Sequence, residues 1–158
     1  MIELKDVTKV YKGDTYETYA LKNLSLNIED GEFVAIMGRS GSGKTTLLNI
    51  IGCMDSASQG TVIIDDIDIS NASAHKLDVV RRNKISFIFQ NYALMQQYSV
   101  YENIELPLNA RNIKGQKKRT AIKDIMNKLG ISELAKKYPN QISGGEQQRT
   151  AIARAFVS

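Results

Sequence analysis

The feature that most constrains the fold is a change of rhythm around Gly38-Arg39-Ser40-Gly41-Ser42-Gly43-Lys44-Thr45. An apolar run, Phe33 to Met37, enters this stretch and a helical pattern, Thr46 to Cys53, leaves it. A buried-type strand followed at once by a glycine-rich loop and a helix makes the chain turn tightly, with successive N–H groups pointing inward at the positive end of the helix. The stretch satisfies G-x-x-x-x-G-K-[ST] at every fixed position. Such a nest of donors encloses the phosphates of a nucleotide. Lys44 adds a point charge at the β- and γ-phosphates, and the Thr45 hydroxyl supplies one oxygen ligand to the Mg²⁺ that bridges them. The competing reading is a Ser/Gly linker, but a linker does not ordinarily place Gly-Lys-Thr at the mouth of a helix directly after a strand.

The flanking segments predict an α/β core. Ile2, Leu4, Val7 and Val10 alternate with polar residues as a first strand ending near Tyr11-Lys12-Gly13, and Ala20 to Ile28 reads as a second. Glu29-Asp30-Gly31 is a turn that hands over to a strand from Glu32 to Met37. Leu47, Leu48, Ile50 and Ile51 lie at helical spacing, and the helix fades at Gly52. Thr61 to Asp66 has two readings. An apolar strand ending in aspartates can be the edge of a metal site, but Ile67 to Ser70 alternates again, which favours a hairpin with Asp65 and Asp66 in its turn. A short helix from Ala74 to Asn83 and a strand from Ile85 to Phe89, running into Gln90, complete this part.

Beyond Asn91 the pattern turns helical: Tyr101 to Asn109, broken or ended by Pro107, then Gln116 to Leu129, then a short piece around Ser132 to Lys136. Lys117, Lys118, Arg119, Lys123 and Lys128 give the middle helix a basic face. No aromatic residues interleave with them, so a solvated face is expected there rather than a nucleic-acid contact. The net charge of +4 over 158 residues is too small and too dispersed to call for a nucleic-acid partner. The single cysteine, Cys53, excludes an internal disulfide and fits a reducing, cytoplasmic setting. No apolar run approaches the ~20 residues that span a bilayer.

A second constellation follows Tyr138-Pro139-Asn140-Gln141-Ile142. Ser143-Gly144-Gly145-Glu146-Gln147-Gln148-Arg149 opens a helical pattern through Ala151, Ile152, Ala155 and Phe156. Ser143 is a good N-cap, and the glycines leave N–H groups open to an anion. Taken alone it is a loop and a cap. Taken in order with Gly38 to Thr45, Gln90 after an apolar strand and a helical insertion, it resembles the nucleotide-binding subunit of an ABC transporter over the whole chain. Ser143 to Gln147 is similar to the family signature Leu-Ser-Gly-Gly-Gln, with Ile142 for Leu and Glu146 for Gln. Leu21-Lys22-Asn23, Asn49 to Gly52 and Tyr101 to Leu108 resemble the bacterial branch that exports lipoproteins, macrolides or antimicrobial peptides.

The resemblance implies a P-loop NTPase (RecA-like) α/β core with an antiparallel β subdomain and a helical insertion. The division would be 1–90 for the nucleotide-binding core, 91–141 for the helical part, and 142–158 for the signature and the start of its helix. ATP and Mg²⁺ are the implied ligands. Gly38, Ser40, Gly41, Ser42, Gly43, Lys44, Thr45 and Thr46 would hold the nucleotide and Tyr11 would stack on adenine, unless Tyr11 is a strand-end core aromatic. Thr45 and Gln90 would meet the metal. Ser143, Gly144, Gly145 and Glu146 would face the ATP of a second, head-to-tail subunit, with the Glu146 carboxylate expected to weaken nucleotide contact there. A transmembrane permease is the other implied partner, which puts the chain on the cytoplasmic face of a membrane and gives it no nucleic-acid partner. The alternatives are a soluble ABC-type ATPase fragment acting on ribosomes or DNA, or a non-catalytic nucleotide-binding fragment. The family's metal-binding aspartate, catalytic glutamate and later histidine follow the signature helix, whereas the 15 residues after Ser143 contain no aspartate and no histidine. The expectation is therefore a C-terminally incomplete subunit that binds ATP and hydrolyses it poorly.

Overall fold

The alternating residues near the N-terminus pair as a long hairpin, β1 (Ile2–Lys12) with β2 (Glu17–Ile28), in a computed structural model that describes residues 1–157. β3 (Gln59–Ile64) pairs with the other edge of β1, and β4 (Ile67–Asp68) with β3. The sheet is fully antiparallel, in the order β2-β1-β3-β4. Between β2 and β3 the chain forms α1 (Lys44–Ile51), and α2 (Ala74–Lys84) follows β4. Leu47 and Ile50 of α1 join Leu4, Val7, Leu21, Val62 and Val80 in one apolar core. Each such side chain, fully buried, contributes roughly 1.5–3 kcal/mol.

Two local devices shape this sheet. β1 bulges near Asp6, whose φ is +49°, and the carbonyls of Lys5 and Asp6 bend towards β3. A Cβ on Gly60 would lie 2.5 Å from the Asp6 oxygen, so only glycine admits the approach. At the other end of β3, Ile64 faces Ile67 across a two-residue loop in which both Asp65 and Asp66 have positive φ, +46° and +63°. That is a type I′ hairpin. The aspartates are turn residues, as the alternation beyond them indicates, and Asp65 pairs with Lys84 at 3.0 Å.

Two expected strands do not form. Residues 32–37 and 85–89 make no ladder. Their composition suits buried parallel strands, but a strand is defined by its neighbour's hydrogen bonds, and every ladder among the described residues is antiparallel and elsewhere. Phe33 and Met37 are accordingly 99% and 88% exposed.

The described residues form two compact units, Met1–Ile85 and a second beginning at Ser86. In the second, α3 (Val100–Ala110), α4 (Gly115–Lys128) and α5 (Gly144–Phe156) surround a core that includes Ile104, Leu108, Ile122, Met126 and Ala153. Short 3₁₀ turns at Ser132–Leu134 and Pro139–Gln141 link α4 to α5. Pro107 does not end α3, which runs on to Ala110. The helix loses one hydrogen bond there, and burial of Leu108 on the next position carries it through. A Ser99–Glu102 capping box starts α3. The fully buried Asn103 ties its carboxamide to the backbone of Met95, Tyr98 and Ser99, which orders the loop before the helix. No helix among the described residues is long and apolar enough to cross a membrane.

The I′ turn gives a direct test. Asp66 carries a side chain in a left-handed conformation that costs about 1 kcal/mol more than glycine there. Asp66→Gly is expected to stabilise the chain by roughly 0.5–1 kcal/mol in urea unfolding, and a destabilised variant would contradict the turn assignment.

Candidate functional site

α1 starts without a side-chain cap. Gly43 occupies its N-cap with φ +89°, and no acidic residue lies in the first turn. Leu47 N–H bonds back to the Gly43 carbonyl at 2.9 Å, so the N–H groups of Lys44, Thr45 and Thr46 have no helical acceptor. They open on a cavity of about 520 Å³ lined by Ser40 to Thr46 on one side and by Thr18, Tyr19 and Ala20 of β2 on the other. The lining holds one cation, several hydroxyls and no carboxylate, which is the chemistry of an anion site. The Lys44 ammonium lies within the loop, donating to the carbonyls of Gly38 at 2.9 Å and Arg39 at 2.7 Å and to Ser42 Oγ at 3.4 Å. Gly43 is required sterically as well as conformationally, because a Cβ there would lie 2.4 Å from the Ala20 carbonyl oxygen.

Thr18, Tyr19 and Ala20 are the wall that sequence reasoning missed. No local signal marks them, because only the β1–β2 pairing, which sets Thr18 opposite Tyr11, brings this part of β2 to the loop. Tyr11 itself does not line the cavity; it is 42% exposed, and its hydroxyl donates to Asp55 Oδ2 at 2.8 Å.

The second constellation forms a helix start of the opposite kind. Ser143 caps α5 in a reciprocal box: the Glu146 N–H reaches Ser143 Oγ at 3.4 Å, while Glu146 Oε2 accepts from the Ser143 N–H at 2.7 Å and from its hydroxyl at 2.8 Å. The Glu146 carboxylate is therefore turned onto its own helix terminus. Bonds from the Ser143 N–H and hydroxyl hold its carboxyl below the usual glutamate range, with Lys137 and Arg149 adding to the effect. Ser143, Gly144 and Gly145 are exposed.

Gln90 is exposed in a turn closed by the Tyr92 N–H on the Phe89 carbonyl at 2.9 Å. It falls in the second unit, where Arg154 of α5 donates to the carbonyls of Tyr92 and Ala93, both at 2.7 Å. Gln90 and the signature helix therefore share one body, and Thr45 belongs to the other.

An ABC transporter family model matches residues 21–158. The chain belongs to the ABC transporter family. It is 47% identical, over its whole length and 69% of the relative's, to an uncharacterized ABC transporter ATP-binding protein of Methanocaldococcus jannaschii, MJ0796. It is 43% identical to the macrolide export ATP-binding/permease protein MacB of Hyphomonas neptunium and 41% to the pyoverdine export ATP-binding/permease protein PvdT of Pseudomonas aeruginosa, spanning 24% of each. Its fold matches the dimeric structure of the MJ0796 cassette with a TM-score of 0.92 at 46% identity, over 99% of this chain and 69% of that one. A second structure of that cassette, in a post-hydrolysis state with ADP and Pi, matches equally well. The ABC chain thus has the α/β P-loop fold that the glycine-rich stretch indicates.

Two outcomes follow from this geometry. Gly43→Ala must move the loop off β2 or leave left-handed φ, so nucleotide affinity measured by calorimetry is expected to fall roughly 5- to 30-fold. For the α5 cap, the Glu146 carboxyl is lowered on folding. Its contribution is complete above the ordinary glutamate pKa near 4.3 and is lost as pH falls through the lower folded value. The difference in melting temperature between wild type and Glu146→Ala is expected to be widest at neutral pH and to shrink below about pH 4; a gap independent of pH would show that the carboxylate is not the cap.

Proposed function

We propose that this chain is the ATP-binding subunit of an ABC exporter, in which ATP draws two copies together head to tail and hydrolysis releases them. The observation that carries the reading is the uncapped, acid-free N-terminus of α1 with Lys44 beside it, lining a cavity free of carboxylates. Gly38, Ser40 and the run Gly41 to Thr46 bind the triphosphate, and Tyr11 stacks on the base. Ser143, Gly144 and Gly145 present a second helix N-terminus to the γ-phosphate held by the partner copy, with Glu146 beside them. Its carboxylate, committed to the cap, keeps the Ser143 hydroxyl occupied until that phosphate arrives. The hydroxyl-rich lining fits a nucleotide with its cation: Thr45 and Gln90 are the residues proposed to hold Mg²⁺, which would supply charge neutralisation at the phosphates.

The export branch is supported by the names of the macrolide and pyoverdine relatives. A transmembrane permease is the proposed partner and the cytoplasmic membrane surface the proposed location. The proposed working parts are 1–90 for nucleotide, 91–141 for the helical contact and 142–158 for the signature. As a polypeptide of these 158 residues the chain is expected to bind ATP with little turnover, because no residue among them matches the family's water-activating carboxylate.

Lys44→Ala is expected to abolish ATP binding in equilibrium titration, and unchanged affinity would remove the cradle from the reading. In a phosphate-release assay, residues 1–158 are expected to stay near background. Turnover like that of an ordinary ATPase would mean that another group activates the water.

A further inference from the structure

The end of β1 carries a cluster that the phosphate cradle does not use. Asp55, just past the C-terminal end of α1, accepts the Tyr11 hydroxyl on Oδ2 at 2.8 Å, and on Oδ1 it accepts the Lys9 ammonium at 2.5 Å and the Ser56 N–H at 2.7 Å. Lys9 also donates to the Ser56 carbonyl at 2.8 Å, and its nitrogen stands over the Tyr11 ring, 4.9 Å from the centroid. The pair is largely shielded, the Lys9 and Asp55 side chains being 12% and 26% exposed. Desolvation pushes the Asp55 carboxyl up, but the hydrogen bonds from Lys9, Tyr11 and Ser56 outweigh it, so the group is held below the ordinary aspartate range.

A phenol ring on a β-strand ordinarily turns about χ1 and χ2. Here its far end is tied by the hydroxyl and one face carries a cation, so a flat ligand would have to stack on the other face. The anchor is not on the strand that bears the ring. It lies on the loop leaving α1, whose opposite end is the phosphate cradle, so one short helix sets the cradle at its start and the anchor at its finish. We propose that Asp55, backed by Lys9, is a positioning residue for base recognition: it locks Tyr11 as a one-sided stacking platform at the distance from the cradle that α1 dictates. The proposal rests on the reading that the base stacks on Tyr11.

The role predicts a split between base and phosphate. Binding of ATP and of inorganic tripolyphosphate to the full chain would be measured by calorimetry for wild type, Tyr11→Ala, Asp55→Ala and Tyr11→Ala/Asp55→Ala. Tyr11→Ala is expected to weaken ATP roughly 5- to 100-fold, and Asp55→Ala about 3- to 10-fold, both with tripolyphosphate affinity unchanged. The double variant is expected to add little to Tyr11→Ala alone, since Asp55 acts through the ring. If Asp55→Ala does not fold, Tyr11→Phe decides the matter, because it deletes only the hydroxyl bonded to Asp55 and keeps the stacking surface. ATP weakened with tripolyphosphate unchanged supports the role, and wild-type ATP affinity overturns it. Equal loss for both ligands in Asp55→Ala would make Asp55 a staple for α1 and overturn positioning. Tyr11→Ala weakening ATP while Asp55→Ala does not would also overturn positioning and leave the stacking reading standing. Wild-type ATP affinity in Tyr11→Ala would remove the stacking reading and the role together.

Discussion

The approach of Gly43 to the Ala20 carbonyl is the constraint on which the cavity at the start of α1 depends. A side chain at position 43 would meet that oxygen at 2.4 Å, so the absence of one lets the start of α1 lie against β2. From that single approach follow the direction of α1, the exposure of its first N–H groups and the wall of the cavity. Leu47 and Ile50 then hold the helix in place by burial against the antiparallel sheet. The anion site is exposed and polar, but the position of its helix is secured by apolar contacts on the other side.

Two helix N-termini carry the glycine-bearing stretches, and they treat their orphan donors in opposite ways. α1 has glycine at its cap and no acid in its first turn, so its donors and positive end stay available to a ligand. α5 satisfies itself through the Ser143–Glu146 box. A carboxylate in the first turn stabilises a helix and competes with any incoming anion for the same field. Glu146 therefore does more than add charge: its carboxylate engages the Ser143 N–H and hydroxyl.

Side chains far apart in the chain hold Tyr11 and the turn that carries Gln90. Asp55 fixes the end of the Tyr11 ring across 44 residues, and Arg154 holds the turn beyond Gln90 across about 60. Arginine suits the second task because its planar fork reaches two carbonyls at once. Tyr92 and Ala93, whose carbonyls it takes, both have left-handed backbones, so the clamp and the turn support each other. A movement of α5 would carry the Gln90 turn with it within the same unit.

Much of this was legible along the chain. The glycine-rich loop and the helix it opens, the hairpin at Asp65-Asp66, the cap at Ser143 and the amphipathic helices depend on contacts within a few residues, and local residue order dictates those. The apolar runs at 32–37 and 85–89 mark the limit, because a strand needs a neighbour's hydrogen bonds and composition cannot supply the neighbour. The β2 wall of the cavity and the Asp55 anchor were likewise beyond the motifs, whereas the turn of Glu146 onto Ser143 follows the local Ser-x-x-Glu spacing of a capping box. The sequence by itself determined which groups can meet a phosphate, through glycine, lysine and hydroxyl placement at helix starts. Only the tertiary structure decided which of those groups are free and which are already engaged, because hydrogen-bond partners distant in sequence become neighbours only when the sheet and helices bury their apolar faces together.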